Sequence, residues 1–436
     1  MPDEPFVIAA DAVIAFHGAY PRVLAHAGVV VDGERIKAAG ELADIRRQFG
    51  MLPVRREHGL LLPGLVNAHT HLDRSHESAE QLKADSFPEW ITKLIASFPP
   101  PEHLETSVRS AVRRGIAESL QAGVTTVGDI ARNVEIARRE FADSGAPAAA
   151  APRIVSFGEV MGLGKMRDRA AGLIAAASAG ADRLSAGGLP LVRRGISPHA
   201  PYTVEGPALR ACVRQSILKN LPLAMHLAES ADEGAFLKDM SGALGWEWEV
   251  MRERDMLDEH MPRMRGGPIR WAQRWGLLLA DARESKTRAF PVLLAHVNYC
   301  NPGELSQLAA SRASVAYCPR THAYFGHPPH RYRDMLAAGI NVCLATDSRA
   351  SNPDLSLLKE AKLLLERDGM DPYALLEMIT RRGAAALGLE RVGTIAPGQA
   401  ADLTLLPWPG EGDPAEWALR IAPKPAAVWL GGGRVV

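Results

Sequence analysis

Short apolar runs alternate with helix-like stretches along most of this 436-residue chain. Most runs are followed by a polar loop and then by a segment rich in Ala, Leu, Glu and Arg, as in Pro101–Ala122 and Leu355–Arg367. This alternation predicts a parallel sheet, and about eight repeats fit a closed (β/α)8 TIM barrel; an open doubly wound sheet is the alternative. The eight predicted strands are Leu61–Ala68, Val124–Ile130, Arg153–Val160, Arg194–Pro198, Leu223–His226, Val292–His296, Ser314–Cys318 and Asn341–Thr346.

The two ends of the chain have a different, all-β pattern. Near the start, an Asp32-Gly33 turn follows the run Ala27–Val31, which predicts a hairpin. Short runs separated by turns recur at the other end, in Gly393–Ile395, Asp402–Leu406, Ala426–Leu430 and Arg434–Val436. We therefore predict an α/β chain with a barrel over residues 63–388 and a small composite β-sandwich domain formed by residues 1–62 and 389–436. Residues 231–290 are too long for one helix and are predicted to form two or three helices at the barrel mouth.

Composition narrows the class of partner. Lys and Arg number 50 and so do Asp and Glu, so the formal net charge is zero and no basic face is expected for nucleic acid. No apolar run approaches the roughly 18 residues needed to cross a bilayer, and the acidic start of the chain does not resemble a signal peptide. The four cysteines form no CxxC pair and are expected to be reduced thiols. We expect a cytoplasmic protein with a small-molecule substrate, no nucleic-acid or membrane partner, and a homodimer as one open alternative for its assembly.

Histidines stand at the carboxyl ends of several predicted strands. In a barrel these ends meet at one mouth, where barrel enzymes carry their active sites. Because side chains alternate along a strand, the spacing of His69 and His71 places both imidazoles on one face. Two imidazoles, a third from another strand and a carboxylate form a site for a divalent transition metal with room for water. The strand-end residues are His69, His71, His199, His226, His296 and Asp347.

With these motifs the chain resembles the amidohydrolase superfamily, in its mononuclear-metal branch of deaminases and chlorohydrolases. The resemblance implies four metal ligands: His69, His71, His226 and Asp347. It also identifies the His-x-x-Glu pair of His226 and Glu229, a sixth-strand histidine at His296, and a Ser-x-His-Ala-Pro-Tyr element at 197–202. The chain is most similar to 6-aminodeoxyfutalosine deaminases and to adenosylhomocysteine/methylthioadenosine deaminases.

The resemblance implies the activity of an aminohydrolase, a hydrolase that acts on carbon–nitrogen bonds of cyclic amidines. A bound cation lowers the pKa of its water toward about 7 and so supplies hydroxide to attack the ring carbon. In this scheme Asp347 takes a proton from that water, and Glu229 protonates the ring and then the departing ammonia. His296 is expected to polarise the attacking hydroxide or the tetrahedral intermediate. One divalent ion is expected, Zn²⁺ first and Fe²⁺ as the alternative.

Five further residues are candidates for substrate contact. His199 is expected to hold the ring or the ribose, and Trp90 to form a lid over an aromatic base. Glu159 ends the third strand, where a structural ion pair is the alternative. Arg320 and His322 belong to a histidine-rich, proline-rich segment from Cys318 to His330, and are candidates because that segment follows the seventh strand.

Three functions remain open at this point. The first is a metal-dependent hydrolytic deaminase of an aminopurine nucleoside such as 6-aminodeoxyfutalosine or adenosylhomocysteine. The second is hydrolysis of another heteroaromatic ring, by a chlorohydrolase or a guanine-deaminase type of reaction. The third is a non-catalytic barrel that binds a ligand, which the complete set of ligands and acid–base residues argues against.

Overall fold

A computed structural model gives the structure of the chain and describes residues 4–17, 20–143, 151–245, 266–278 and 290–436. Over these residues the strands are β1 (Phe6–His17), β2 (Tyr20–Asp32), β3 (Arg35–Glu41), β4 (Val54–Arg56), β5 (Leu60–Pro63), β6 (Leu65–Thr70), β7 (Val124–Ala131), β8 (Arg153–Val160), β9 (Arg183–Leu184), β10 (Pro190–Pro198), β11 (Leu223–Leu227), β12 (Val292–His296), β13 (Ser314–Tyr317), β14 (Val342–Leu344), β15 (Leu403–Leu406), β16 (Ala427–Leu430) and β17 (Gly433–Arg434).

The same ranges contain α-helices between and around the strands. They are α1 (Leu42–Phe49), α2 (Phe87–Ala96), α3 (Leu104–Gln121), α4 (Val134–Asp143), α5 (Ala170–Ser178), α6 (Gly206–Lys219), α7 (Ala231–Asp239), α8 (Gly267–Arg274), α9 (Pro302–Ser311), α10 (Pro319–Tyr324), α11 (Tyr332–Ala337), α12 (Leu357–Asp368), α13 (Pro372–Met378), α14 (Arg381–Ala386) and α15 (Pro414–Ile421). Of the helices predicted over residues 231–290, α7 and α8 are present, and residues 246–265 and 279–289 lie outside the described part of the chain. Within that part, no helix is long and apolar enough to cross a bilayer.

The predicted barrel is confirmed. Eight parallel strands lie in the order β6-β7-β8-β10-β11-β12-β13-β14, with β9 paired to β10 at one side. The side chain of Asn67 in the first strand bonds Thr346, which follows the last strand. Asn67 Nδ2 donates to Thr346 Oγ1 at 2.8 Å, and the Thr346 N–H donates to Asn67 Oδ1 at 3.2 Å. The Asp347 N–H also donates to the His69 carbonyl at 3.1 Å. These bonds join the two ends of the sheet beside two of the predicted metal ligands.

Alternate side chains on the later barrel strands enter two different hydrophobic clusters. One cluster consists mainly of residues from the strands themselves and from the segment after α14, and the other is shared with the surrounding helices. This period of two is what a strand buried on both faces requires. His226 therefore shares a face with Ala224 of the first cluster, while Met225 packs with the helices.

The strands from both chain ends form a separate mixed sheet with its own core, as the composite β domain requires. Hydrogen bonds join them into one continuous sheet in the order β17-β16-β15-β5-β1-β2-β3, with β4 paired to β1. The hairpin predicted at Asp32-Gly33 is present, with Asp32 paired to Arg35. The core of the sheet combines residues from the two ends, including Ile8, Val29, Leu61, Leu403 and Trp429.

Two sequence-based strands differ from the structure. The run Leu61–Ala68 is two strands in different sheets, β5 and β6, and Gly64 lies between them. A Cβ atom on Gly64 would lie 2.0 Å from Thr125 Oγ1, so only glycine fits this passage. Both strands are apolar and buried, so no change of periodicity marks the boundary. The run Gly393–Ile395 was the second wrong prediction, because it forms bends and coil without a ladder partner.

Candidate metal centre and active site

Four imidazoles converge at the carboxyl ends of three barrel strands. His69 lies near the end of β6 and His71 directly after it, His226 lies in β11, and His296 ends β12. The ring of His69 lies 5.0 Å from that of His226 and 5.3 Å from that of His296, measured between centroids. The Nε2 atoms of His71 and His226 lie 3.1 Å apart. This spacing brings several ring nitrogens close together at the mouth of the barrel.

Asp347 completes this group from the loop after β14. Its Oδ1 lies 3.4 Å from His69 Nε2 and 3.6 Å from His71 Nε2, and its Oδ2 accepts a 2.7 Å hydrogen bond from Ser351 Oγ. Burial alone would raise the pKa of Asp347, but the close approach of His69 Nε2 and the other imidazoles nearby lower it below its usual range. The carboxyl is therefore an anion at neutral pH.

The donor atoms fit a divalent cation. Both ring nitrogens of His69 and the Nε2 of His296 are buried without a hydrogen-bond partner, which is costly unless something else binds them. Burial, and then the neighbouring rings, lower the pKa of His71 and of His226, so both rings are neutral and offer lone pairs. Two overlapping sets have donor atoms within 4.8 Å of one another: His69 with His71 and Asp347, and His69 with His226 and His296. Imidazoles and one carboxylate suit Zn²⁺ or a similar transition metal.

The tautomer of His226 is fixed by a hydrogen bond from its Nδ1. Its Nδ1 lies 3.2 Å from the carbonyl oxygen of His199 and donates to it, which leaves the Nε2 lone pair directed at the other imidazoles. A hydrogen bond of this kind to the remote nitrogen orients a ligating histidine and raises its basicity. The residue after the fourth barrel strand, His199, therefore orients His226 through its backbone carbonyl, in addition to placing its own side chain at the site.

Glu229 lies in the loop between β11 and α7, buried beside His296. Its Oε1 lies 3.5 Å from His296 Nε2, and its N–H donates to Glu233 at 2.9 Å. Burial, and then the charges of Asp347 and Glu233, raise the pKa of Glu229 well above its usual value. This shift favours the protonated carboxyl, which can donate a proton to a bound ring.

Backbone strain concentrates around these residues. Ala228, His296, Val297 and Asp347 have φ values of 52°, 70°, 52° and 59°, in the left-handed region that residues other than glycine rarely adopt. Each such conformation costs on the order of 1–3 kcal/mol and clusters at functional sites. Ala228 directly follows β11, His296 ends β12 and Val297 follows it, and Asp347 lies in the loop after β14.

A cavity of about 470 Å³ opens above the imidazoles. Its far wall is apolar and aromatic, with Phe87 and Trp90 of α2 stacked at 5.8 Å between centroids. Phe98 also lines it, with the guanidinium carbons of Arg74 and Arg132 3.8 and 4.5 Å from its ring centroid. The cavity can hold a flat ring near the metal centre and a longer apolar or charged group beyond it. Its acidic and basic lining residues, apart from histidine, are Asp73, Arg74, Arg132, Glu159, Lys165, Arg169, Glu229 and Asp347.

A family model described as the amidohydrolase family matches residues 60–432, which span the barrel and most of the C-terminal strands. The chain belongs to the amidohydrolase family. The motif resemblance inferred from the sequence is thereby confirmed, and the histidine cluster occupies the mouth of the family's barrel.

Among its relatives in this family are named deaminases. An aminodeoxyfutalosine deaminase from Deinococcus radiodurans is 28% identical over 378 residues, which cover 83% of this chain and 81% of that protein. A 5-methylthioadenosine/S-adenosylhomocysteine deaminase from Pelotomaculum thermopropionicum is 28% identical over 402 residues, which cover 87% of this chain and 81% of that protein.

Solved structures share the amidohydrolase fold. Helicobacter pylori aminofutalosine deaminase has a TM-score of 0.80 at 22% identity, with 99% of this chain and 100% of that chain covered. A triazine hydrolase from Arthrobacter aurescens has a TM-score of 0.78 at 21% identity, covering 99% and 94%. An adenosine deaminase from Xanthomonas campestris with bound zinc has a TM-score of 0.74 at 21% identity, covering 98% and 92%.

Three of the five residues predicted to contact substrate line the cavity. Trp90 does so with its ring, while its indole N–H donates to the Ala350 carbonyl at 3.1 Å and ties α2 to the loop after Asp347. His199 bonds Thr203 Oγ1 through Nδ1 at 2.6 Å, and its Nε2 lies 3.8 Å from Glu159. Burial, then His71 and Arg132, lower the pKa of His199 to about 3.

The other two lie away from the cavity lining. The Arg320 guanidinium donates to Asp354 Oδ1 at 2.7 Å, and His322 Nε2 donates to the Pro328 carbonyl at 2.9 Å. Their role as substrate contacts stays a prediction. The position of a residue after a strand does not reveal which way its side chain turns when an α-helix begins there, as α10 does at Pro319.

Sequence reasoning missed the residues that support Asp347. Ser351 donates to its carboxylate, and Asn67 holds the preceding Thr346. A signal for Asn67 was present, because a fully buried amide inside an apolar strand needs partners. No comparable signal marks Ser351, which is one of several small polar residues in its loop.

Proposed function

We propose that this protein is a metal-dependent aminohydrolase that removes an amino group from the ring of an aminopurine nucleoside and releases ammonia. One observation carries the proposal: a buried Glu229 carboxyl with a raised pKa faces the same cavity as a cluster of neutral imidazoles and an ionised Asp347. Relatives named as aminodeoxyfutalosine and methylthioadenosine/adenosylhomocysteine deaminases support it.

The metal-binding role falls to His69, His71, His226 and Asp347. When bound there, a divalent cation supplies Lewis acidity and lowers the pKa of water toward neutrality. The Asp347 carboxylate, ionised and steadied by Ser351, accepts a proton from the attacking water. Zinc is the first candidate ion, since a fold relative carries it.

Acid–base chemistry on the ring falls to Glu229. Its carboxyl donates its proton to a ring nitrogen, which makes the adjacent carbon electrophilic. The resulting carboxylate takes the proton of the newly added hydroxyl and passes it to the amino group, which leaves as ammonia, and the proton that Asp347 accepted restores the Glu229 carboxyl. His296, 3.5 Å from Glu229, is neutral because burial lowers its pKa to about 3, so it polarises the attacking oxygen as a hydrogen-bonding group and not as a cation. His199 and Trp90 orient the base from the cavity wall.

The cavity lining favours a substrate with a tail that carries a carboxylate. Four basic side chains, Arg74, Arg132, Lys165 and Arg169, line the cavity together with its apolar wall. Aminodeoxyfutalosine and adenosylhomocysteine both carry a carboxylate remote from the amino group, whereas methylthioadenosine, adenosine and guanine do not. We therefore propose a carboxylate-bearing aminopurine nucleoside as the substrate class.

The test is a substrate panel assayed for ammonia with metal-loaded protein: aminodeoxyfutalosine, adenosylhomocysteine, methylthioadenosine, adenosine and guanine. The expected result is turnover of the two carboxylate-bearing nucleosides, with adenosylhomocysteine favoured over methylthioadenosine in kcat/KM. Chloride release from a chlorotriazine with no ammonia from any nucleoside would support the second function. A full complement of metal with no turnover of any compound would support the non-catalytic barrel.

Metal analysis checks the ligand assignment separately. About one divalent ion per chain is expected, and His226→Ala should lower metal content and activity together. Full metal occupancy in that variant would remove His226 from the site. His296→Asn should keep its metal, because this residue is assigned to the reacting groups.

A further inference from the structure

The histidine-rich segment after β13 contacts the backbone of His296 through the side chain of His330. Its Nε2 lies 2.9 Å from the backbone carbonyl of His296 and donates to it. The two residues are 34 positions apart, and both are buried. His330 does not line the cavity, so its route to the chemistry is through His296.

The bond falls on a peptide unit that needs external support. His296 and the following Val297 both have positive φ, 70° and 52°. The N–H of this same peptide, that of Val297, donates to the Leu227 carbonyl at 3.0 Å. The peptide between His296 and Val297 is thus held at its N–H by β11 and at its C=O by His330. Rotation of the peptide would turn the His296 ring away from Glu229.

The His330 ring is itself held firmly. It stacks on Tyr317, with centroids 3.9 Å apart and planes 17° from parallel. The hydroxyl of Tyr317 accepts a hydrogen bond from Arg367 at 3.3 Å, which fixes the tyrosine from the other end. His330 Nδ1 is buried without a partner, so the proton of this ring belongs on Nε2, where the carbonyl accepts it.

We propose that His330 is a positioning residue: its Nε2–H holds the strained peptide after His296 and so sets the direction of the His296 ring toward Glu229 and the reacting atoms. The inference rests on the proposed function for its effect on rate, but its effect on the His296 backbone can be measured without any turnover. A rate penalty is expected because small displacements of a catalytic group cost about 10²-fold per ångström.

Two substitutions separate the hydrogen bond from packing. His330→Phe keeps an aromatic ring against Tyr317 and removes the donor, whereas His330→Gln keeps an amide N–H within reach of the carbonyl and removes the ring. For the Phe variant we expect kcat to fall about 10-fold or more, with KM within about threefold and metal content unchanged. For the Gln variant we expect kcat within about threefold of the parent. Tyr332→Phe is the matched control, since its hydroxyl bonds Asp368 in the same packed region without contacting His296.

Crystal structures of the parent and both variants provide the second measurement. The expected result is a rotated 296–297 peptide and a displaced His296 ring in the Phe variant, with the parent arrangement in the Gln variant. Equal losses of kcat in both variants, or an unmoved His296 in His330→Phe, would overturn the proposal. If the parent releases no ammonia from any panel compound, the proposed function fails, and the crystal structures still decide the role of His330.

Discussion

Two buried carboxyl groups, Asp347 and Glu229, face one cavity, and their surroundings shift their pKa values in opposite directions. Asp347 is surrounded by imidazoles and a serine hydroxyl, which keep it ionised despite its burial. Glu229 is buried and has two other carboxyl groups near it, which raise its pKa and favour its protonated form. Environments that separate the pKa values of two carboxyls allow one to accept protons while the other donates them. The residue types are visible in the sequence; this division follows from their neighbours.

The first prediction concerns Glu229→Gln, which keeps the size of the side chain and cannot move a proton. Metal content and substrate binding should stay close to the parent because the ligands and cavity are unchanged. Turnover should fall by about 10²-fold or more, which corresponds to roughly 2.7 kcal/mol of transition-state stabilisation. Steady-state ammonia release and metal analysis on the same samples measure this. Turnover within about threefold of the parent would exclude Glu229 as the proton carrier.

The second prediction concerns Asp129, a fully buried residue of β7 whose Oδ1 accepts the Leu72 N–H at 2.8 Å. Burial, and then the nearby Asp73, raise the pKa of Asp129 from 3.8 to about 8. Because the folded state binds this proton more tightly than the unfolded state, stability from this group is lost as pH rises from about 4 through 8. Asp129→Asn keeps the acceptor and removes the titration. The variant should therefore gain stability relative to the parent between pH 6 and pH 9, by more than about 1 kcal/mol.

Urea unfolding at both pH values measures this difference. Glu233 and Glu360 also have pKa values raised to about 8 by burial, so the parent should retain part of its pH dependence when Asp129 is replaced. A stability difference between variant and parent that does not change with pH would show that Asp129 is already ionised in the folded protein.

At the scale of elements, the sequence predicted strands well where apolar runs are isolated and failed where two runs join. The bounds of β8 and β12 agree with those predicted, and a proline directly precedes each run. The run Leu61–Ala68 contains two strands of different sheets, since alternation and burial are the same on both sides of Gly64. Strand-end positions were enough to predict that the imidazoles and Asp347 lie together, because parallel strands bring their carboxyl ends to one edge. They could not place Arg320 and His322, whose side chains depend on how α10 begins.

The third prediction concerns the join between β6 and β14. Asn67→Ala removes both hydrogen bonds to Thr346 and leaves a buried backbone N–H unpaired, at a cost of about 1–3 kcal/mol in the free energy of unfolding. Because His69 lies near the end of β6 and Asp347 in the loop after β14, next to this join, the affinity for metal should fall as well. Chemical denaturation and competition with a chelator measure the two effects.

Asn341→Ala is the matched control for this join. Asn341 bonds Ser314 Oγ and the Arg382 carbonyl, both at 3.0 Å, near the opposite end of β14. It should lower stability with no change in metal affinity. A similar loss of metal affinity in both variants would mean that the effect of Asn67 is a general loosening of the barrel.

At the scale of the whole molecule, the composite sheet and the barrel are joined by a buried ion pair. Arg153 begins β8 of the barrel, and Asp402 directly precedes β15 of the composite sheet. Arg153 Nε lies 2.6 Å from Asp402 Oδ2, and the side chains are 4% and 2% exposed. Asp402 Oδ1 also accepts the Gly431 N–H at 2.8 Å, and Arg153 donates to the Pro190 carbonyl at 3.0 Å. Both charged groups are paired with each other and hydrogen-bonded to the backbone, so the composite sheet and the barrel should unfold together.

The last prediction tests this joint by removing first one charge of the pair and then both. Asp402→Leu leaves the Arg153 charge buried and unpaired, which should lower the free energy of unfolding by about 3–5 kcal/mol. The double variant with Arg153→Leu should lose less than Asp402→Leu alone, because no buried charge remains without a partner. Lys37→Ala is the control: its pair with Asp32 is 3.0 Å long but 51% and 46% exposed, and should contribute less than about 1 kcal/mol. Urea unfolding of metal-loaded samples measures all four proteins. If Asp402→Leu unfolds at the same urea concentration as Lys37→Ala, the two parts of the molecule are held together by their apolar contacts, and the ion pair contributes nothing measurable.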